Sequence, residues 1–218
     1  STGRQYGLPQ TKWSDMRRDI VEATRAAFDY LEKLHKDMNG DWLLAIAAYN
    51  AGEGNVLRAV RKNTAIGKPI DFFSLALPDE TRAYVPRLLA FAKLVANPAA
   101  YDIELDAIED TPYFQQVQTG RQLNLTKAAE MASITLNELM LLNPAYIRAS
   151  TDPAGPHSLL VPAESAAAFR TALAAAPQVR PTTLAQVQVA RGDTLSRIAE
   201  QHGVSVQRLK NANDLQSN

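Results

Sequence analysis

Cysteine is absent from this sequence of 218 residues. Its absence excludes disulfides, thiol nucleophiles and metal sites built on thiolates. Histidine is scarce as well, and His35, His157 and His202 lie far apart without the paired spacing of helical zinc sites. We therefore expect neither a metal nor a cofactor.

An excess of one charge sign is also absent, because 23 Lys and Arg residues balance 23 Asp and Glu residues. No basic surplus is present to neutralise a phosphate backbone, so nucleic acid is not expected as a partner. A neutral or weakly charged polymer, such as a glycan, suits this charge balance better.

No apolar run is long enough for a membrane-spanning helix, and no leader peptide is visible. This lack carries little weight, because the sequence opens on Ser1-Thr2-Gly3 without a methionine. We expect the chain to be part of a longer polypeptide that is cut short at both ends.

Apolar residues make up 46% of the sequence, which is enough for a packed core. In the first half they recur at spacings of three and four, a pattern that predicts helices. Ser14 or Asp15 is expected to cap the first helix, Asp41 the second, and Pro86 to kink or divide the last. The expected helices are 15–38, 42–50, 55–61 and 78–96, with a loop over 63–75.

The second half repeats itself at an offset of 70 residues. Leu139 matches Leu209 and Asn143 matches Asn213. Each copy is predicted to fold as a strand, a helix, a turn and a second helix. A returning strand over 159–162 completes the first copy, whereas the second copy ends before such a strand. The predicted fold is therefore mainly α in the first half, followed by small α+β modules of βααβ order.

The segment Ala47-Ala48-Tyr49-Asn50-Ala51-Gly52-Glu53-Gly54 carries the strongest chemical signal in the first half. Gly52 and its neighbour Gly54 allow a bulky ligand to approach the backbone. Tyr49 offers a sugar a flat face and a hydroxyl group, and Asn50 offers an N-acetyl amide a donor and an acceptor. A core tyrosine beside a helix-capping asparagine would explain the same residues without a ligand.

A second signal is the segment Glu80-Thr81-Arg82-Ala83-Tyr84-Val85. Glu80 and Tyr84 are four residues apart and so lie on one face of a helix. The alternative is a solvated first helical turn whose acidic side chains complement the helix dipole.

Together, in this order and at this separation, the two segments resemble the lysozyme-like lytic transglycosylases that carry LysM repeats. In that family AYNAG and ETxxYV segments line the glycan cleft, and the opening stretch from Ser1 to Leu8 resembles the residues that follow the family's GLxQ motif. The resemblance implies substrate-binding roles for Tyr49, Asn50, Gly52, Glu80 and Tyr84.

The resemblance also implies a reaction. One glutamic acid protonates the glycosidic oxygen between N-acetylmuramic acid and N-acetylglucosamine, then acts as the base while the muramic 6-hydroxyl closes a 1,6-anhydro ring. In the family this glutamate sits in a Glu-Ser motif ahead of GLxQ, and we expect neither that order nor GLxQ itself in this chain. Glu164-Ser165 comes too late, and Glu53 does not hold that position. We expect the acid upstream of Ser1 and no catalytic residue in this chain. Turnover would then need a complementary N-terminal segment.

The second copy of the repeat, from Val187 onward, resembles the start of a LysM module. The resemblance implies a shallow groove for N-acetylated sugars between two loops of that copy. The residues placed there are Gly192, Asp193, Thr194, Leu195 and Asn213. In the first copy Gln122-Leu123-Asn124 replaces the Gly-Asp-Thr turn, so that copy either binds glycan or serves as a spacer.

The resemblance implies a division of the chain and a setting for it. The expected parts are a transglycosylase portion (1–96), a connector (97–112), a degenerate LysM-like module (113–163), a helix and an Ala/Pro/Thr-rich linker (164–183), and an incomplete LysM module (184–218). The implied partner is the peptidoglycan glycan strand, on the periplasmic side of a bacterial envelope, with a membrane anchor in the full-length protein. The oligomeric state stays open. The alternatives are a non-catalytic wall-binding protein with a dead lysozyme-like domain and a true hydrolase of the same fold.

Overall fold

The computed structural model describes residues 2–177, 187–213 and 215. The chain divides into two compact units, 1–181 and 182–218. The first unit contains a helical half and the first copy of the repeat, and the second contains the second copy. Most of the expected linker over 177–183, the start of the second module over 184–186, and Asp214 lie outside the described residues.

The helical half is built from short and medium helices joined by tight turns. Its helices are α1 (Thr2–Gln5), α2 (Ile20–Asp37), α3 (Trp42–Ala51), α4 (Glu53–Ala65) and α5 (Asp79–Ala96). Turns of 3-10 helix cover Met16–Arg18, Phe72–Ser74 and Pro98–Tyr101. The last of these belongs to the connector, which has no other regular structure.

The helix ends are set by side-chain caps, and the prediction was right for one helix and wrong for another. Asp41 caps α3 as expected, accepting hydrogen bonds from the backbone N–H groups of the next turn. Asp19, not Ser14 or Asp15, caps α2. Asp15 instead caps the preceding 3-10 turn. Local sequence cannot separate these candidates, because each is a good capping residue followed by an apolar pattern.

Two further expectations for the helical half need correction. Helix α4 starts two residues earlier than predicted and ends four residues later. Gly52, at φ 87°, ends α3 and caps α4, so a single residue separates the two helices. Pro86 does not divide α5, which continues through it to Ala96 at the cost of one backbone donor.

The core of the helical half surrounds α3. This helix is apolar on every side, and it packs against α2, α4 and α5. Its position places the end of α3, with Tyr49 and Asn50, beside the start of α5. The buried residues of this core are Leu34, Met38, Leu44, Ala45, Ala47, Ala48, Val56, Phe72, Leu75, Leu77 and Val85.

The first copy of the repeat has the predicted βααβ order. It consists of β1 (Phe114–Gln118), α6 (Leu125–Ala132), α7 (Leu136–Leu142) and β2 (Ser158–Pro162). The strands are antiparallel, with Val117 opposite Leu159. Helix α8 (Ala166–Ala175) follows and covers the module through the fully buried Phe169.

The first repeat is joined to the helical half by a set of contacts that we call the junction, formed by residues 8–18 and 143–152. The Asp15 N–H donates to the Ala145 carbonyl at 2.8 Å, and the Ile147 N–H donates to the Trp13 carbonyl at 3.0 Å. The Thr11 hydroxyl donates to Asp152 Oδ2 at 2.8 Å. A small apolar cluster of Leu8, Met16, Ala26 and Ala145 lies beneath these bonds. The two parts therefore share a core.

The second unit contains α9 (Leu195–Gln201) and α10 (Val206–Ala212), as the repeat predicts. The strand expected around Val187–Val189 is not formed, and residues 187–190 lie outside any strand. The described residues of this unit hold no returning strand to pair with it, and one strand without a partner cannot form a ladder.

Candidate functional site

The two chemical segments of the helical half meet where α3 ends and α5 begins. Thr81 Oγ1 donates to Asn50 Oδ1 at 2.8 Å, and Asn50 Nδ2 approaches Glu80 Oε1 at 3.5 Å. The first distance is a good hydrogen bond, and the second is at the long limit. The Asn50 amide therefore joins the AYNAGEG segment to the ETRAYV segment.

The orientation of the Asn50 amide follows from its two neighbours. An ionised Glu80 can only accept a hydrogen bond, so the amide nitrogen faces it and the amide oxygen faces Thr81. Thr81 is only 1% exposed, and a buried hydroxyl needs a partner. Within the described part of the chain, the second N–H of the Asn50 amide forms no hydrogen bond and is available to a ligand. Sequence analysis missed Thr81, although its place inside ETxxYV was the available signal.

Gly52 lies two residues after Asn50, on the exposed turn between α3 and α4. Its φ of 87° is a conformation that favours glycine, and a Cβ built there would meet no atom within 4 Å. Glycine is needed at this position for the backbone turn and not to avoid a neighbouring side chain. The space above the turn is open to a ligand.

Three tyrosines form a row that ends at the site. The Tyr6 and Tyr30 ring centroids are 5.3 Å apart, and those of Tyr30 and Tyr49 are 5.7 Å apart, with tilted planes. Partial burial, followed by the nearby charge of Glu53, raises the pKa of Tyr30. Tyr49 is 40% exposed, so part of its ring is accessible. Tyr6 and Tyr30 were not singled out from the sequence, because they are distant from the motifs along the chain.

The remaining predicted residues of this site differ in their surroundings. Glu80 is exposed, whereas Tyr84 is half-buried and packs against the core of the helical half. Glu53, the other nearby carboxylate, accepts a hydrogen bond from Lys33 Nζ at 2.8 Å. Lys33 also pairs with Asp37, and these hydrogen bonds raise the pKa of its ammonium group. Glu53 is thus a salt-bridge residue on the surface between α2 and α4.

The expectation that GLxQ is absent from the chain was wrong, because a third stretch of the helical half contains these letters at Gly7-Leu8-Pro9-Gln10. No Glu-Ser pair precedes it in this sequence. In the structure it serves the junction: Leu8 is buried in the junction cluster, and the Met16 N–H donates to the Pro9 carbonyl at 3.0 Å. These residues are therefore not part of the site at Asn50.

The predicted sugar-binding residues of the second repeat lie around the start of α9. Gly192 has a φ of 97°, and Asp193 Oδ2 accepts a hydrogen bond from the Ala190 N–H at 2.8 Å, which closes the turn. Thr194 caps α9, and Leu195 is its first residue. The turn and the cap fix the shape of this loop.

Asn213 occupies the same place in the second repeat as Asn143 in the first. Asn143 is buried and hydrogen-bonds the returning strand at Leu160. Asn213 is exposed, and its Nδ2 donates to the Leu209 carbonyl at 2.9 Å. In the first repeat this asparagine, Asn143, therefore has a structural role. Sugar binding by Asn213 in the second repeat stays a prediction.

The described residues contain no cluster of His, Cys, Asp and Glu that could hold a metal ion. Among the same residues, no helix is both long and apolar enough to cross a membrane.

Comparison with known families identifies the class of protein. Residues 1–71 match the transglycosylase SLT domain, residues 113–178 the LysM-like domain of lytic transglycosylase MltD, and residues 187–218 the LysM domain. The two segments that meet at Asn50 thus belong to a helical half that carries an SLT match, and both repeats are LysM-related. The chain is therefore similar to the lytic transglycosylases with LysM repeats along most of its length.

Individual relatives agree with this assignment. The chain is 38% identical over 225 residues to membrane-bound lytic murein transglycosylase D of Escherichia coli strains K12 and CFT073, covering 99% of this chain and 50% of each relative. It is also 48% identical over 69 residues to a putative tributyltin chloride resistance protein of Alteromonas sp. strain M-1, covering 32% of this chain and 33% of that protein. The chain thus spans about half the length of the murein transglycosylases that it matches.

Proposed function

We propose that this chain forms the substrate-positioning part of a peptidoglycan lytic transglycosylase and binds the cell wall through its second repeat. The reaction cleaves the β-1,4 bond between N-acetylmuramic acid and N-acetylglucosamine and forms a 1,6-anhydro ring. The observation that carries the proposal is the Asn50 amide, held between Thr81 and Glu80 at an open turn. The family matches support it from an independent direction.

Each residue of the site has a role that fits a sugar substrate. The exposed part of Tyr49 offers a ring face, and the available N–H of Asn50 suits the carbonyl of an N-acetyl group. Gly52 leaves room for the sugar, and the exposed Glu80 can accept hydrogen bonds from its hydroxyls. Tyr84, on the same helix face as Glu80, anchors that face to the core.

No residue of this chain is assigned as the catalytic acid. A single carboxyl group that first donates and then removes a proton at neutral pH needs apolar burial to hold its proton. None of the glutamates in the described part of the chain is buried, and Glu53 is paired with Lys33. We therefore place the acid on a complementary N-terminal segment that carries Glu-Ser ahead of GLxQ.

An exposed apolar face on α5 supports the existence of a complementary partner. Leu88, Phe91 and Val95 recur at spacings of three and four on one side of this helix, and all three are exposed. A continuous apolar patch of this kind marks an interaction surface. Such a segment would cover this patch while it supplies the acid.

The second repeat is proposed to hold the glycan strand, and the setting is proposed to be the periplasmic side of a bacterial envelope, with a membrane anchor in the full-length protein. The LysM match and the ordered turn at Asp193 support the binding role. Linking a weak binding module to a catalytic part raises the local concentration of the polymer at the active site.

The test uses purified sacculi and mass spectrometry of the released fragments. The chain alone should release no anhydro-muropeptides, and the chain mixed with, or fused behind, the complementary segment should release them. Asn50→Ala in the restored enzyme should lower the yield by about tenfold or more. The matched control is Asn137→Ala, an exposed asparagine on α7 outside the site.

Three other results would point elsewhere. Product from the chain alone would overturn the placement of the acid. Fragments with reducing ends and no anhydro ring would indicate a hydrolase. Sacculus binding without product in the restored enzyme would indicate a non-catalytic wall-binding protein.

A further inference from the structure

An open groove lies beside the junction, on the first repeat. It has a volume of about 700 Å³. Its lining includes Leu136, Met140 and Leu141 from α7 and Ile147 from the following loop, and these apolar side chains are exposed, Leu141 by 68%. Clustered exposed aliphatic side chains are costly in water, so the groove suits an apolar ligand surface.

Two arginines line this groove, one from the helical half and one from the first repeat. Arg18 comes from the 3-10 turn of the helical half, and Arg148 from the loop of the first repeat. The backbone bond between Ile147 and Trp13 brings the two segments together. The groove therefore exists in this form only because the two parts are joined.

The charged side chains that line the groove are both positive. Its described lining contains no Asp or Glu. Arg148 Nε donates to the Lys12 carbonyl at 3.1 Å, and within the described part of the chain neither arginine forms an ion pair. Guanidinium groups without a carboxylate partner are well suited to bind one from a ligand.

The lining is poorly suited to a bare sugar chain. Sugar sites use exposed aromatic faces, and the one aromatic residue in the lining is Tyr146, which is 6% exposed. Its hydroxyl already donates toward the carbonyls of Pro156 and Ser158. Aliphatic side chains beside arginines instead match a peptide that has small apolar side chains and free carboxylates.

We propose that this groove binds the carboxylate-bearing stem peptide of peptidoglycan. This proposal rests on the proposed function for the source of the ligand. The Arg18 and Arg148 guanidinium groups bind the peptide carboxylates, and the α7 side chains contact its small apolar side chains. The first repeat would then recognise the peptide and the second repeat the glycan.

The test is isothermal titration of the full 218-residue chain with a synthetic L-Ala-γ-D-Glu-L-Lys-D-Ala tetrapeptide. Binding should be saturable. Each of the single variants Arg18→Gln and Arg148→Gln should weaken it by about tenfold. Leu141→Asn should weaken it as well, without touching an arginine. The matched control is Arg170→Gln, an exposed arginine of α8 that does not line the groove and should bind like the parent.

Three further titrations identify the ligand class. The tetrapeptide with its carboxylates amidated should bind about tenfold more weakly. Chitotetraose, which the second repeat is proposed to bind, should not displace the parent tetrapeptide from the groove. An all-L, α-linked Ala-Glu-Lys-Ala peptide should also bind more weakly if the groove is shaped for the wall peptide. Equal binding of this last peptide would overturn the assignment to peptidoglycan in favour of protein peptides.

Absence of saturable binding, unchanged affinity in both arginine variants, or displacement of the tetrapeptide by chitotetraose would overturn the proposal. Thermal unfolding of every variant shows whether it is folded. These titrations use soluble peptides and no reaction, so their failure would leave the anhydro-product test of the proposed function unaffected.

Discussion

Asn143 forms hydrogen bonds to the backbone of Leu160 through both the nitrogen and the oxygen of its side-chain amide. Its Nδ2 donates to the Leu160 carbonyl at 2.7 Å, and its Oδ1 accepts from the Leu160 N–H at 2.9 Å. The same Nδ2 also donates to the Leu139 carbonyl at 2.8 Å. One buried side chain therefore joins the end of α7 to the middle of β2.

Asn143→Ala should destabilise the first unit strongly. Removal of the amide leaves the Leu160 N–H and carbonyl buried without this partner, and each such loss costs about 1–3 kcal/mol. We expect a loss of about 2–4 kcal/mol in the free energy of unfolding, measured by urea denaturation followed by circular dichroism. The control is Asn137→Ala, an exposed asparagine of α7, with little change expected. If Asn143→Ala lowers the free energy of unfolding as little as the control does, these hydrogen bonds do not stabilise the first unit.

Thr81→Val should weaken the site while the helix remains intact. Valine has nearly the shape of threonine but no hydroxyl, so the Asn50 oxygen loses its donor and the amide becomes free to turn. We expect a stability loss of about 1 kcal/mol, measured by thermal unfolding. Glycan cleavage by the chain combined with its complementary N-terminal segment should fall by more than this loss of stability would explain.

Thr81→Ser is the matched control for the hydroxyl. It keeps the donor and removes only a methyl group, so cleavage should stay near the parent level. Equal cleavage by the valine and serine variants would show that the hydroxyl does not position Asn50.

Acid should weaken the junction through Asp15. Arg17 binds both carboxylate oxygens of Asp15, at 2.9 and 2.7 Å, and its hydrogen bonds lower the pKa of Asp15 to about 2. The folded pKa lies below the ordinary value of 3.8, so the ionised form stabilises the fold. The contribution is present above about pH 4 and is lost as the pH falls toward 2.

Arg17→Gln should remove most of this pH dependence. Thermal unfolding followed between pH 2 and 5 should fall less steeply with acid in the variant than in the parent chain. Arg4→Gln, which changes an exposed arginine outside the ion pair, should keep the parent slope. An unchanged slope in Arg17→Gln would show that Asp15 does not link the fold to pH.

Ala145→Glu should separate the first repeat from the helical half. Ala145 is 1% exposed in the junction cluster, and a carboxylate there is buried without a partner. We expect a loss of about 3 kcal/mol or more, and the single unfolding transition of the first unit should split into two. Differential scanning calorimetry and hydrogen exchange of residues 11–16 measure both effects.

Ala154→Glu provides the control for the junction. It adds the same charge at an exposed position of the same loop and should leave one transition at nearly the parent temperature. Two transitions within the first unit of the parent chain would contradict a shared core between the repeat and the helical half.

The helices and the repeat could be predicted from neighbouring residues. Apolar spacing identified α2, α3 and α5, and Asp41 identified the start of α3. The 70-residue offset identified the βααβ order of the first copy and the two helices of the second. These features depend on residues within one or two turns of each other, where periodicity and capping act. Where two capping residues competed, as at Asp15 and Asp19, the local pattern did not decide between them.

The site followed from sequence in its residue types but not in its contacts. The AYNAGEG and ETRAYV segments supplied Tyr49, Asn50 and Glu80, and the resemblance supplied their expected roles. The bond from Thr81 to Asn50 spans 31 residues and was not foreseen. It exists because α3 and α5 pack side by side, and no periodic pattern reports such a contact.

The sequence by itself therefore determined the helices, the repeat and the residue types of the candidate site, because short-range preferences and functional motifs are local. Only the tertiary structure decided that the first repeat is joined to the helical half, through the bond from Thr11 to Asp152 across 141 residues and through the buried Ala145. It also decided that Arg18 and Arg148 share one groove. Such relationships depend on how complete elements pack, and packing is set by the whole chain at once.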